Sequence, residues 1–180
     1  MRHSLRLVVL LVAVASLCSS CGYALAGRGS FLPDTIKVIG IPDFTNTTTF
    51  YQVEQVLTAK VRTEFIGRGK YKVLPQATDV DAVLKGEILS IGVTPAVFNE
   101  SQQATRYVIT VTAKIELRDL HADKVLWQNP AMVFREDYDV ATAGTSITDP
   151  ATFFGQEANA LERVATDFAR SVVSSILEAF

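Results

Sequence analysis

The stretch Arg106–Leu117, RYVITVTAKIEL, decides the fold class. Tyr107, Ile109, Val111, Ala113, Ile115 and Leu117 alternate with Thr110, Thr112, Lys114 and Glu116. Successive side chains of a strand point to opposite faces of its sheet. The alternation therefore predicts a long strand with one buried and one exposed face. A sheet apolar on one side needs a cover, and the flanking sequence supplies it.

Downstream, Asp119–Asp123 reads as a turn, and Lys124–Gln128 and Ala131–Tyr138 as an extended pair. Asn129-Pro130 between them predicts a bulge or kink, because proline cannot donate to a sheet ladder. Residues 139–149 read as a loop of small residues. Asp149-Pro150 then signals a helix start, an N-cap followed by proline at the first helical position. Leu161, Val164, Ala165, Phe168, Val172 and Ile176 fall on one face of that helix, which is predicted to run close to Phe180.

Upstream, Ala82–Val93 is extended, and the polar stretch Thr94–Thr105 predicts a turn or protruding loop. Ile36–Ile41, stopped by Pro42, and Tyr71–Leu74, stopped by Pro75, read as short strands. Between them Val53, Val56, Leu57, Val61 and Phe65 recur at helical spacing. One of Thr47, Thr48 and Thr49 is expected to cap this helix, and Gly67 and Gly69 to end it. The expected fold is α+β: two helices packed on one face of a mostly antiparallel or mixed sheet of about four strands.

The 180-residue chain has a formal net charge of −2 and 48% hydrophobic residues. Its mean hydropathy of +0.23 is inflated by Leu5–Leu17, an almost wholly apolar run. Basic Met1–Arg6, that run, and Cys18-Ser19-Ser20-Cys21 form the three-part pattern of a secretory signal. Small residues followed by cysteine indicate a bacterial lipobox. Residues 1–20 are read as the signal peptide, Cys21 as the lipidated residue, and 21–35 as a tether. Residues 36–180 are read as the folded domain. Cys21 would carry diacylglycerol on sulfur and a fatty acid on its new amino group; several chains are needed for a durable anchor. Gly22 lacks the aspartate that retains lipoproteins in the inner membrane, which favours the outer membrane. Loss of Arg2 and Arg6 with the signal takes the net charge from −2 to −4.

Enzyme chemistry has little to draw on, so no catalytic residue, cofactor or metal is expected. After signal removal His121 is the only histidine, and it lies in a predicted turn. The one remaining cysteine is taken by the lipid, so no thiolate zinc site can form. No nucleophile elbow or phosphate-binding glycine loop occurs. Glu136, Asp137 and Asp139 read as a solvated strand end, with an oxygen-ligand cation site as the alternative. The charge balance gives no nucleic-acid-binding patch. Lys85, Arg106 and Lys114 lie on the presumed sheet. They read either as a solvated face or as local contacts for an anionic headgroup.

The start Cys21-Gly-Tyr-Ala-Leu-Ala-Gly-Arg-Gly-Ser-Phe-Leu-Pro33, then Ile36–Pro42 and Phe44-Thr-Asn-Thr-Thr48, resembles the LptE family of LPS-assembly lipoproteins. The resemblance covers nearly the whole chain. It implies an α/β sandwich that sits as a plug in the outer-membrane β-barrel LptD and helps deliver lipopolysaccharide to the outer leaflet, without enzymatic activity. It also implies lipopolysaccharide contact by basic residues near a strand-loop tip. Here the corresponding loop, Phe98–Gln103, has no basic residue before Arg106. The competing reading is an interaction module of another envelope assembly, curli-secretion-like or a peptidoglycan-synthase activator. Pro42-Asp-Phe-Thr-Asn-Thr-Thr48 also resembles those lipoproteins.

Overall fold

A computed structural model describes residues 32–180 apart from Gly69. The expected signal peptide, Cys21, most of the expected tether and the expected Gly69 cap lie outside the described residues. Six strands and three helices follow in the order β1 (Val38–Gly40), β2 (Thr45–Asn46), α1 (Val53–Gly67), β3 (Lys72–Leu74), β4 (Ala82–Phe98), β5 (Ala104–Asp119), β6 (Lys124–Gly144), α2 (Pro150–Gln156) and α3 (Ala158–Leu177). The class is α+β as expected, but two helices become three and four strands become six.

The sheet order is β3-β1-β4-β5-β6, and β2 pairs with β4 further along the edge that β1 occupies. The β4-β5-β6 meander is antiparallel, whereas β1 pairs parallel to both β3 and β4, and β2 parallel to β4. The sheet is therefore mixed. All six inward side chains of β5, Tyr107 through Leu117 at odd positions, are buried. Each buried Ile, Leu or Val contributes roughly 1.5–3 kcal/mol. Phe65, Phe153 and Phe168 bring the helices onto this face. Phe168 meets Phe134 of β6 edge-on at 6.1 Å, and Phe153 lies 4.8 Å from Tyr107.

The two long helices run side by side in the same direction. Lys60 pairs with Glu162, and Arg68 Nη2 donates to Ser174 Oγ at 3.0 Å. Leu32 is buried at the start of the domain, its N–H bonded to the Tyr71 hydroxyl at 3.1 Å.

Several local expectations change. The residue capping α1 is Gln52, with φ of 69° and no side-chain cap; Thr48 instead bonds to Asn46 in a tight turn. The expected loop Thr94–Thr105 is mostly strand, since β4 runs to Phe98 and β5 begins at Ala104. The carbonyl and amide groups of that polar stretch find partners across the hairpin, so polarity alone does not release it from the sheet. The segments on either side of Asn129-Pro130 are one strand, interrupted by a register shift opposite Ala113 and Ile115. The single final helix is two, broken at Glu157. Phe153 and Phe154 are both buried, and Glu157 accepts from the Tyr138 hydroxyl at 3.1 Å. That anchoring turns the chain before α3 starts.

Candidate functional site

The helices cover one face of the sheet and leave the other to the side chains that alternate with the core. On that outer face Lys85 lies opposite Glu116, and Glu87 opposite Lys114. The four charges form a checkerboard at one end of the β4-β5 pair. The chain between β1 and β2 arches beside it, held by Arg62, whose Nε donates to the Ile41 carbonyl at 2.8 Å and whose Nη2 meets Asp43 at 2.9 Å. The result is a cavity of about 420 Å³ lined by Pro42, Asp43, Thr45, Lys85, Gly86, Glu87, Lys114 and Glu116. Lys85 and Lys114 are exposed and make no ion pair among the described residues.

Phe44 fixes the inner side of this arch. Its ring lies where a Cβ on Gly86 would stand, 2.6 Å away. Its N–H donates to Thr58 Oγ1 at 3.0 Å, and that hydroxyl donates to the Glu54 carbonyl at 2.6 Å. The buried hydroxyl is thus satisfied on both sides, as burial requires. The glycine is needed for close approach of the ring to the strand backbone.

Arg106 does not join the lysines. It sits eight residues from Lys114 along β5, roughly 27 Å away at ~3.4 Å per residue. Its Nε and Nη2 donate to the two carboxylate oxygens of Asp139 at 2.6 and 3.3 Å. This fork geometry holds the Asp139 carboxyl below its usual range and pushes the Arg106 guanidinium up. Between Lys114 and Arg106 the outer residues of β5 are Thr112, Thr110 and Val108. Opposite them on β4 stand Ser90, Gly92 and Thr94. The middle of this face is therefore uncharged along β4 and β5.

At the hairpin tip beyond Arg106 the sequence pointed to a loop without basic residues but not to its exposed apolar pair. Val97 and Phe98 are 43% and 47% exposed there. Their signal was two adjacent large apolar residues inside a polar stretch, where strand alternation would place at most one inward.

His121 lies in the β5–β6 turn with Nε2 2.9 Å from Asp81 Oδ1. The carboxylates of the 136–139 segment are divided by alternation: Glu136 takes Arg163 at 2.6 Å and Asp139 takes Arg106. No group of three or more potential ligands able to hold a metal ion occurs among the described residues.

The family model described as LptE, lipopolysaccharide-assembly, matches residues 36–176. Curated protein sequences gave no match. Among solved structures, a hypothetical protein from Chlamydia trachomatis is similar at TM-score 0.52 and 11% identity, over 79% of this chain and 96% of that one. That likeness speaks to the fold alone. A lipoprotein from Neisseria meningitidis gives 0.45 and 16% identity over 73% and 99% of the two chains. The rare lipoprotein B of Shewanella oneidensis gives 0.39 and 14% over 77% and 96%.

Proposed function

Because the chain belongs to the LptE, lipopolysaccharide-assembly, family, we propose that it is a Cys21-anchored lipoprotein of the outer membrane that packs as a plug in an LptD-type β-barrel and assists lipopolysaccharide insertion. One observation carries this reading beyond the family match: the sheet keeps a broad outer face that none of the described helices covers. That face has a middle that is uncharged along β4 and β5 and bordered by Arg135 and Asp137 of β6, a charged cavity at one end and an apolar hairpin tip at the other. A barrel wall would cover the uncharged part, and its rim contacts would be polar. The role is binding, and no step of bond chemistry is assigned to any residue.

Within this reading Lys85 and Lys114 supply cationic contacts to a phosphorylated glycolipid headgroup. They share one cavity and make no ion pair among the described residues. Arg106 reaches such a headgroup only by releasing Asp139. Affinity purification of the tagged chain in mild detergent tests the assignment. Recovery of a large outer-membrane barrel in equal amount is expected. Recovery of a peptidoglycan synthase or a homo-oligomeric secretion ring in its place would overturn it.

A further inference from the structure

The charged side chains that line the cavity at the end of the sheet are Asp43, Lys85, Glu87, Lys114 and Glu116. Two of them already have partners. Asp43 meets Arg62 at 2.9 Å, and Glu116 meets Arg118 Nε at 3.1 Å. Lys85, Glu87 and Lys114 form no ion pair among the described residues. Two positive charges and one negative charge therefore face the cavity uncompensated. Strand register sets their spacing. Glu87 stands directly across from Lys114 and two residues along β4 from Lys85. Cβ atoms directly across a strand pair are ~4.5–5.5 Å apart, and two residues along a strand span roughly 7 Å. Lys85 and Lys114 occupy a diagonal of the same quartet, ~7–8 Å apart. Two long side chains on that diagonal can close on one phosphate, which a lysine ammonium binds as a point charge. Half-buried Glu87 adjoins both lysines. Its carboxylate only accepts hydrogen bonds and repels a bare phosphate, so the group it takes is a cationic donor.

We propose that this cavity binds a zwitterionic group of the phosphoethanolamine class, its phosphate between Lys85 and Lys114 and its ammonium on Glu87. The inference rests on the headgroup reading above, which sets a phosphate on the two lysines; the ammonium and its carboxylate are the addition. A purely anionic group would leave Glu87 facing it. A purely cationic one would face both lysines. A group carrying both signs meets all three side chains. The cavity of about 420 Å³ lies within the usual ~300–1,000 Å³ of small-ligand sites, and Pro42, Asp43 and Thr45 wall one side of it. The same chemistry is carried by a phospholipid headgroup and by a phosphoethanolamine substituent on lipopolysaccharide.

The test is a phosphorus NMR titration of O-phosphoethanolamine with the full chain in non-ionic detergent. Ethyl phosphate is the comparison probe, since it keeps the phosphate ester and lacks the ammonium. O-phosphoethanolamine is expected to bind about tenfold more tightly. Glu87→Gln should erase that preference, weakening O-phosphoethanolamine and strengthening ethyl phosphate. Glu87 has no partner to lose, so the fold should survive, and an unchanged urea midpoint checks this. Lys85→Gln with Lys114→Gln should weaken both probes. Detergent micelles carrying phosphatidylethanolamine, or lipopolysaccharide substituted with phosphoethanolamine, then compete with the probe, and whichever displaces it identifies the source. Equal affinity for the two probes, or a Glu87→Gln chain that keeps the preference, overturns the inference and leaves the lysines to a plain phosphate. Binding of neither probe also overturns it, and lipopolysaccharide-micelle binding by the lysine variants then decides the headgroup reading separately.

Discussion

His121 Nε2 lies 2.9 Å from Asp81 Oδ1, joining residues forty positions apart. The other oxygen of Asp81 accepts the N–H groups of Lys37 and Val38, both at 2.8 Å. One carboxylate therefore ties the β5–β6 turn to the start of β1. The bond from His121, then those from Lys37 and Val38, lower the Asp81 carboxyl to about 2, while Asp81 raises the His121 imidazole. The Asp81 contribution is present above the ordinary carboxyl value of 3.8 and is lost as pH falls toward about 2. The His121 contribution is present below its ordinary value of 6.5 and is lost as pH rises through its raised value. Thermal unfolding should thus find this clasp strongest between those ordinary values. Asp81→Ala should cost roughly 1–2 kcal/mol at pH 5 in chemical denaturation. His121→Ala should remove the alkaline decline and shrink the acid one, leaving only the part that the Lys37 and Val38 N–H groups supply.

Gly86→Val is expected to destabilise the domain by about 1–3 kcal/mol, the usual range for overpacking a core. The added carbons would enter the Phe44 ring, which is only 3% exposed and cannot swing into solvent without emptying its site. Urea denaturation measures the loss. Gly92→Ala on the same strand is the control: nothing lies within 4 Å of its Cβ position, so its effect should be much smaller.

The double reversal Lys85→Glu and Lys114→Glu should weaken binding to lipopolysaccharide micelles and flatten the salt dependence of that binding. Exposed charges act within about 10 Å at 0.1 M salt, so added salt should already suppress the unaltered protein. Each reversal sets glutamate opposite Glu116 or Glu87, so a stability loss of roughly 0.2–1 kcal/mol per pair is expected, and urea denaturation separates that loss from the loss of binding. Unchanged micelle binding would return both lysines to an ordinary solvated face.

Cys21→Ala should abolish fatty-acid labelling and release the protein from membranes into the soluble fraction. A mature chain that keeps its membrane fraction without the thiol would show that another segment anchors it. Metabolic labelling and fractionation read the two outcomes separately.

The strand over Arg106–Leu117 was legible because one face is wholly buried and the other is not. The Asp149 cap was equally plain: its carboxylate accepts the Thr152 N–H at 2.7 Å. The short β2 was not legible, because Thr45 and Asn46 carry no apolar pattern and gain their strand geometry only from β4. Nor was the break at Glu157, which depends on Tyr138 from another element. At the candidate site, Lys85 and Lys114 could be named from their strands, but their shared cavity depends on strand register. That register also separates them from Arg106, and no single-strand pattern contains it.

The parallel placement of β1 has a consequence for the order of assembly. The β4-β5-β6 meander closes through short turns between successive strands, so each strand can pair as soon as its neighbour is present. β1 has no such neighbour. Its partners, β3 and β4, begin at Lys72 and Ala82, and α1 lies between. Closing those long loops costs entropy before any contact repays it. A chain that emerges from a translocation pore with its N-terminus leading presents β1 first and must hold it unpaired until α1 and β3 have followed.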